Sequence, residues 1–192
     1  MITNPAKEDI KIAVKTGNTE KLQTALQEIK DEKFLYELLN LAARHGKTDS
    51  IKLILAKGID LNFKGKHGWT VLMRAIEAGQ TKAAALLLEN GARVNIEDKY
   101  GNTALNIASY EGNIDVIKIL LKNHARVNHK NKYHWTALMR AIEGGHPEAV
   151  KILVENGADL KIKDKLGRTA LEIARNKENK EIIEFLSSKS NK

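Results

Sequence analysis

The side chains best suited to acid–base or metal chemistry in this chain are six histidines, His45, His67, His124, His129, His134 and His146. They are scattered along the chain rather than clustered. No pair has the His-x-x-x-His spacing of a zinc-binding helix with its glutamate. His129 and His134 could approach each other across a turn, but two ligands are too few for a zinc site. The chain has no cysteine, which excludes disulfides and thiolate metal sites. No glycine-rich phosphate loop stands between a strand and a helix. These residues therefore predict no catalytic site, no cofactor and no metal.

Side chains suited to binding are more ordered. Tyr36, Trp69 and Trp135 fall in one repeating position, at intervals of 33 and 66 residues. Tyr100 and Tyr133 fall two places earlier in their units, and Tyr110 stands beside Glu111. Tyrosine and tryptophan combine a large apolar area with a polar handle and are favoured at binding hot spots. The competing reading is that they pack on neighbouring turns and stiffen the fold. Trp69-Thr-Val-Leu-Met-Arg74-Ala-Ile-Glu77 is nearly duplicated 66 residues later as Trp135-Thr-Ala-Leu-Met-Arg140-Ala-Ile-Glu143. Arg74/Glu77 and Arg140/Glu143 share a helical face at i, i+3, where such pairs contribute about 0.2–0.5 kcal/mol. With helices about 8–10 Å apart, the two copies are expected on one side, roughly 20 Å from each other. Either a partner uses both, or they are solvated ion pairs left by duplication. Lysines recur at Lys64/Lys66, Lys99, Lys130/Lys132 and Lys163/Lys165, which predicts a basic edge. Such an edge suits an acidic partner, protein or nucleic acid, though simple solvation is the favoured account of it.

The elements that must position these residues follow from one period. Gly46, Gly79, Gly112 and Gly145 are 33 residues apart, as are Thr70, Thr103, Thr136 and Thr169. Ala42, Ala75, Ala108, Ala141 and Ala174 keep the same step, as do Asn62, Asn95 and Asn128. Each unit reads as two helices and an extended turn. Thr103 suits an N-cap, Leu105 and Ala108 share one face, and Gly112 suits the left-handed helix end. The second helix spans Ile114 to Lys122, with Val116, Ile117, Leu120 and Leu121 inward. Gly91 and Gly157 end its counterparts. His124 replaces the glycine that ends a second helix, and His134 a turn glycine, each a local conflict of about 1 kcal/mol.

This recurring unit resembles the ankyrin repeat, across about residues 32–186. Gly101-Asn-Thr103-Ala-Leu105, Gly112-Asn, Val116-Ile117, Leu120-Leu121 and Val127-Asn128 carry the resemblance. The implied fold is all-α: an ankyrin-repeat solenoid of stacked helix–turn–helix units joined by extended turns or hairpins. The family's signature proline is Val71, Ala104, Ala137 or Ala170 here. Its signature histidine, which links neighbouring repeats by hydrogen bonds, is Met73, Asn106, Met139 or Glu172. Packing is therefore expected to carry more of the contact between repeats. His146 fits a slot where the family often has a structural histidine.

The expected organisation is N-terminal capping helices over residues 1–31 and four repeats at 32–64, 65–97, 98–130 and 131–163. A C-terminal capping repeat and polar tail follow at 164–192, with Ser187–Lys192 frayed. Thr169 and Glu172 match a capping box. The formal charge is +8, spread as +2, +3 and +3 over residues 1–64, 65–130 and 131–192, so no basic arm stands out. No apolar run is long enough to span a membrane, and residues 1–9 lack a signal-peptide core, so a cytoplasmic protein is expected, and the capped ends favour a monomer.

The resemblance implies a non-catalytic scaffold that binds an unidentified protein through its concave first-helix face and turn tips. The residues expected to touch the partner are Tyr36, Trp69, Arg74, Glu77, Tyr100, Tyr110, Glu111, Tyr133, Trp135, Arg140 and Glu143. The alternative is a basic-edge binder of nucleic acid or anionic surfaces.

Overall fold

Threonine hydroxyls fix where the internal first helices begin. Thr70 accepts from the backbone N–H of Met73 at 3.3 Å, and Thr136 from that of Met139 at 3.4 Å. Thr169 pairs reciprocally with Glu172, and Asn106 Oδ1 accepts from both the N–H and the hydroxyl of Thr103. These bonds satisfy donors that have no partner inside a helix.

A computed structural model describes residues 4–190. They form twelve α-helices and, among the described residues, no strand. The helices are α1 (Asn4–Thr16), α2 (Thr19–Glu28), α3 (Glu32–Arg44), α4 (Thr48–Leu55), α5 (Val71–Glu77) and α6 (Thr81–Glu89). They continue as α7 (Ala104–Glu111), α8 (Ile114–Lys122), α9 (Ala137–Gly144), α10 (Pro147–Glu155), α11 (Ala170–Asn176) and α12 (Lys180–Ser190). Each odd-numbered helix packs on the even-numbered helix that follows it.

The chain divides into two units, the first holding residues up to 63 and 70–92, the second residues 64–69 and those from 93 onward. In the first, α1, α3 and α5 pack in one row and α2, α4 and α6 in another. Val14, Leu22, Leu38, Ile51, Leu72 and Leu87 are buried between them. In the second, α7, α9 and α11 form one row and α8, α10 and α12 the other, over Leu105, Ile117, Leu138, Leu153 and Ile182. Within each unit this is the stacked two-helix architecture that the period predicts.

Four details differ from the sequence reading. First, α3 begins more than a turn earlier than its counterparts, because Asp31 caps it by accepting from Phe34 N–H at 3.2 Å and Phe34 and Leu35 are buried. Tyr36 therefore lies within a helix, whereas Trp69 and Trp135 precede one. Second, α12 continues through Ser187–Ser190 where a frayed tail is expected. The last two residues of that expected tail lie outside the described residues. Third, Leu121 is only half-buried.

Fourth, hydrogen bonds as well as packing link successive repeats. The 33-residue asparagine slot reaches the next repeat in each case. Asn62 Nδ2 donates to the Gly91 carbonyl at 3.3 Å, Asn95 to that of His124 at 3.1 Å and Asn128 to that of Gly157 at 2.9 Å. Asn95 and Asn128 also accept from the backbone N–H groups of Arg126 and Asp159. The ladder is built at the turns instead of at the helix slot where the family's histidine stands.

Candidate functional site

The turns ahead of α7, α9 and α11 are organised by one buried side chain each. Asp98 Oδ1 accepts from the N–H groups of Tyr100 and Asn102, both at 2.8 Å. Asn131 Oδ1 does the same for Tyr133 and Trp135 at 2.9 Å. Asp164 Oδ1 accepts from Leu166 at 2.8 Å and Arg168 at 2.9 Å. The Asp164 side chain is almost wholly buried, and its second oxygen takes a forked bond from Arg168 Nε and Nη2 at 2.9 and 2.7 Å. Burial pushes the Asp164 carboxyl up, but the Arg168 guanidinium and the two backbone N–H groups outweigh it and hold the group below the ordinary carboxylate range.

These organising residues share one 33-residue slot that the sequence reading passed over. The signal was a polar residue at 98, 131 and 164, broken by Gly65 one period earlier. Gly65 offers no side-chain acceptor. That turn instead forms a 3₁₀ turn at Lys66–Gly68, in which His67 takes a left-handed φ of 63° and Trp69 N–H reaches the Lys66 carbonyl at 3.4 Å.

Successive turns are joined edge to edge through the backbone. Lys99 N–H donates to the His67 carbonyl and Lys132 N–H to that of Tyr100, both at 2.9 Å, and Lys165 N–H to that of Tyr133 at 3.2 Å. Asn131 Nδ2 adds a buried bond to Asn102 Oδ1 at 2.7 Å. The ladder aligns Lys66, Lys99, Lys132 and Lys165, all exposed, in one row. Beside them, Tyr100, Tyr133 and Leu166 form a second row, 43%, 55% and 75% exposed. Lys99 Nζ lies 4.7 Å above the Tyr100 ring.

Behind these tips lies an open groove of about 610 Å³. Its walls include the exposed Tyr100, Tyr133 and Leu166 and the half-buried Trp135, Arg140 and Glu143. The Arg140 guanidinium lies 5.2 Å from the Tyr110 ring and 5.8 Å from the Trp135 ring. It also donates to Glu143 at 2.6 Å, while its buried Nε–H has no acceptor among the described residues. Tyr110 is held in place by its own backbone. Its carbonyl accepts from His146 Nε2 at 2.9 Å, and a Cβ at Gly144 would fall on that same carbonyl oxygen. Gly144 thus lets α9 approach the end of α7 closely.

The structure therefore brings together Tyr100, Tyr110, Tyr133, Trp135, Arg140 and Glu143, all in the second unit. Glu111 is exposed at the end of α7. The other predicted residues are not among those lining this groove. Tyr36, in α3, turns its hydroxyl to the Phe63 carbonyl at 3.0 Å and its ring edge to Phe63 at 4.6 Å, so it braces the turn after α4. Arg74 and Glu77 pair at 3.4 Å on α5 in the first unit, a longer bond than that of Arg140 and Glu143. Trp69 is half-buried in the 64–69 segment. His129 Nε2 donates to the Gly101 carbonyl at 2.8 Å and faces Glu97 at 3.7 Å, which makes it a brace between turns. Among the described residues no group of three histidine, cysteine, aspartate or glutamate side chains could hold a metal ion. No helix of the described residues is long and apolar enough to cross a membrane.

The family model for ankyrin repeats (3 copies) matches residues 10–98, 39–131 and 105–192. The chain belongs to the ankyrin-repeat family. A comparison with curated proteins finds no match. Ankyrin repeats generally mediate protein–protein interaction. In this ankyrin-repeat protein the groove has matching composition: tyrosine, tryptophan and arginine are the residue types that dominate binding hot spots.

Proposed function

We propose that this ankyrin-repeat protein is a non-catalytic scaffold that binds a partner protein through the first-helix side and turn tips of its second unit. The observation that carries the reading is Arg140, placed near the Tyr110 and Trp135 rings and paired with Glu143 within an open groove. Packing against fixed rings reduces the side-chain entropy an arginine loses on binding. In this reading the helix pairs α1–α2 and α11–α12 serve as caps, and Tyr36 and Trp69 act as braces.

The test is a peptide-library selection against the whole chain, followed by affinity measurements on Trp135→Ala, Arg140→Ala and, for comparison, Arg74→Ala. Selected ligands should weaken about tenfold or more with the first two, the size expected of hot-spot truncation, and little with the third. Ligands indifferent to Trp135 and Arg140 would overturn the assignment. A second reading, a basic edge that binds nucleic acid or an anionic surface, draws on the aligned row of Lys66, Lys99, Lys132 and Lys165. It predicts tight oligonucleotide binding that collapses with added salt.

A further inference from the structure

The two rows of side chains on the turn tips form one pattern. Each of three successive turns presents a lysine and, next in sequence, a large exposed apolar or aromatic residue: Lys99-Tyr100, Lys132-Tyr133 and Lys165-Leu166. The backbone bonds from one turn to the next hold these pairs in register. Side-by-side helices lie about 8–10 Å apart, and the turns leading into them inherit that step. A peptide in the extended polyproline II conformation rises about 3.1 Å per residue with three residues per turn, so every third side chain returns to the same face after about one repeat.

We infer that the occupant of this edge is an extended acidic peptide segment with a carboxylate at about every third position and an apolar residue beside each. The inference rests on the protein-binding reading above and names the partner's chemistry. Charge complementarity sets the sign. The exposed row is cationic, and the lysine stems leave their charged ends in water, where they attract carboxylates without a large desolvation cost. The apolar row sets the second element of the pattern. Tyr133 and Leu166 expose more than half of their surface, and covering them removes apolar area from water.

Two features separate a peptide from a nucleic acid strand. Single-stranded nucleic acid is gripped by cations together with aromatic platforms for successive bases, and the third position of this row is Leu166, which offers no ring. The groove behind the tips also carries the carboxylates of Glu143 and Asp164, already paired with Arg140 and Arg168. Phosphates entering the groove would meet the partly exposed Glu143 carboxylate, Asp164 being almost wholly buried, whereas a peptide can turn its apolar side chains towards it.

The test is fluorescence anisotropy on the full chain with a labelled peptide of three Asp-Leu-Ser units. The comparisons are a peptide of the same composition with its three aspartates consecutive, and an oligothymidine strand of similar length. The periodic peptide should bind about tenfold more tightly than the clustered one. The combined substitution of Lys99, Lys132 and Lys165 to Gln should weaken it about tenfold, while circular dichroism shows the helices unchanged, because the ladder uses their backbone N–H groups. Leu166→Ser should weaken it without altering net charge. Equal affinity for the two peptides, indifference to the lysine substitutions, or tighter binding of oligothymidine would each overturn the inference. If the periodic peptide fails while library-selected ligands still depend on Trp135 and Arg140, the inference falls and the scaffold reading stands. If those ligands are also indifferent, both fall.

Discussion

Asp164 shows how one side chain can serve both the turn and the groove. Its carboxylate closes the last of the organised turns and neutralises Arg168. Replacing it with alanine strands two turn N–H groups and a guanidinium, so a loss of about 2–3 kcal/mol is expected in urea unfolding. Asn131 performs the same backbone task one repeat earlier, so Asp164→Asn should keep the turn and lose only the ion pair. The two variants also differ in acid. A carboxylate held below its ordinary range stabilises the fold above its unfolded pKa, and that stability is lost as pH falls through the folded value. The wild type should therefore lose stability below about pH 4–5, near the ordinary carboxylate range, and Asp164→Asn should lose less over that window. An identical acid limb in both would contradict the assignment. Arg140 is expected to behave differently. Its i, i+3 pair and ring contacts are half-exposed and its Nε–H is unsatisfied, so Arg140→Ala should cost no more than about 1 kcal/mol. That makes it a clean probe of binding, and a larger drop in thermal stability would disqualify it.

At the level of elements, the helix starts and stops were legible because each rests on a local bond that one residue type supplies. The threonine N-caps and the Thr169–Glu172 box lie where the spacing put them. The glycine-replacing histidines adopt the backbone their slots demand, with φ of 62° at His124 and 61° at His134. Glu178, which stands in the slot of Gly112 and Gly145, is likewise left-handed at 57°. His124→Gly should therefore raise stability by about 1 kcal/mol, read as a higher urea midpoint. Gly144→Ala should act in the opposite sense, by about 1–3 kcal/mol, because its Cβ would meet the Tyr110 carbonyl and force α7 and α9 apart. What stayed hidden were contacts that need two repeats to exist. The sequence shows Asn102 and Asn131, but not that one donates to the other. It shows Gly65, but the loss of an acceptor becomes visible only beside the turns that have one. The groove belongs to the same class: its tyrosines and Arg140 were named as candidates, yet their convergence depends on how α7 and α9 pack.

For the molecule as a whole, the pattern of neighbours sets how a local defect spreads. Within each unit, every helix packs on its own partner and on a counterpart in an adjoining repeat. In such an array stability is close to a sum of repeat and nearest-neighbour contributions, so damage decays with repeat distance. Leu138 is 1% exposed in α9. Leu138→Ala should cost about 2–5 kcal/mol by leaving a cavity in that repeat. Native-state hydrogen exchange should then show the largest loss of protection in α9 and α10, a smaller loss in α7, α8, α11 and α12, and almost none in α1 to α4. The binding groove lies within the affected set, so partner affinity should fall along with protection in α9. A uniform loss of protection from α1 to α12 would mean that the chain unfolds as one cooperative block. In that case nearest-neighbour packing and the turn ladder would not be the units in which its stability is built.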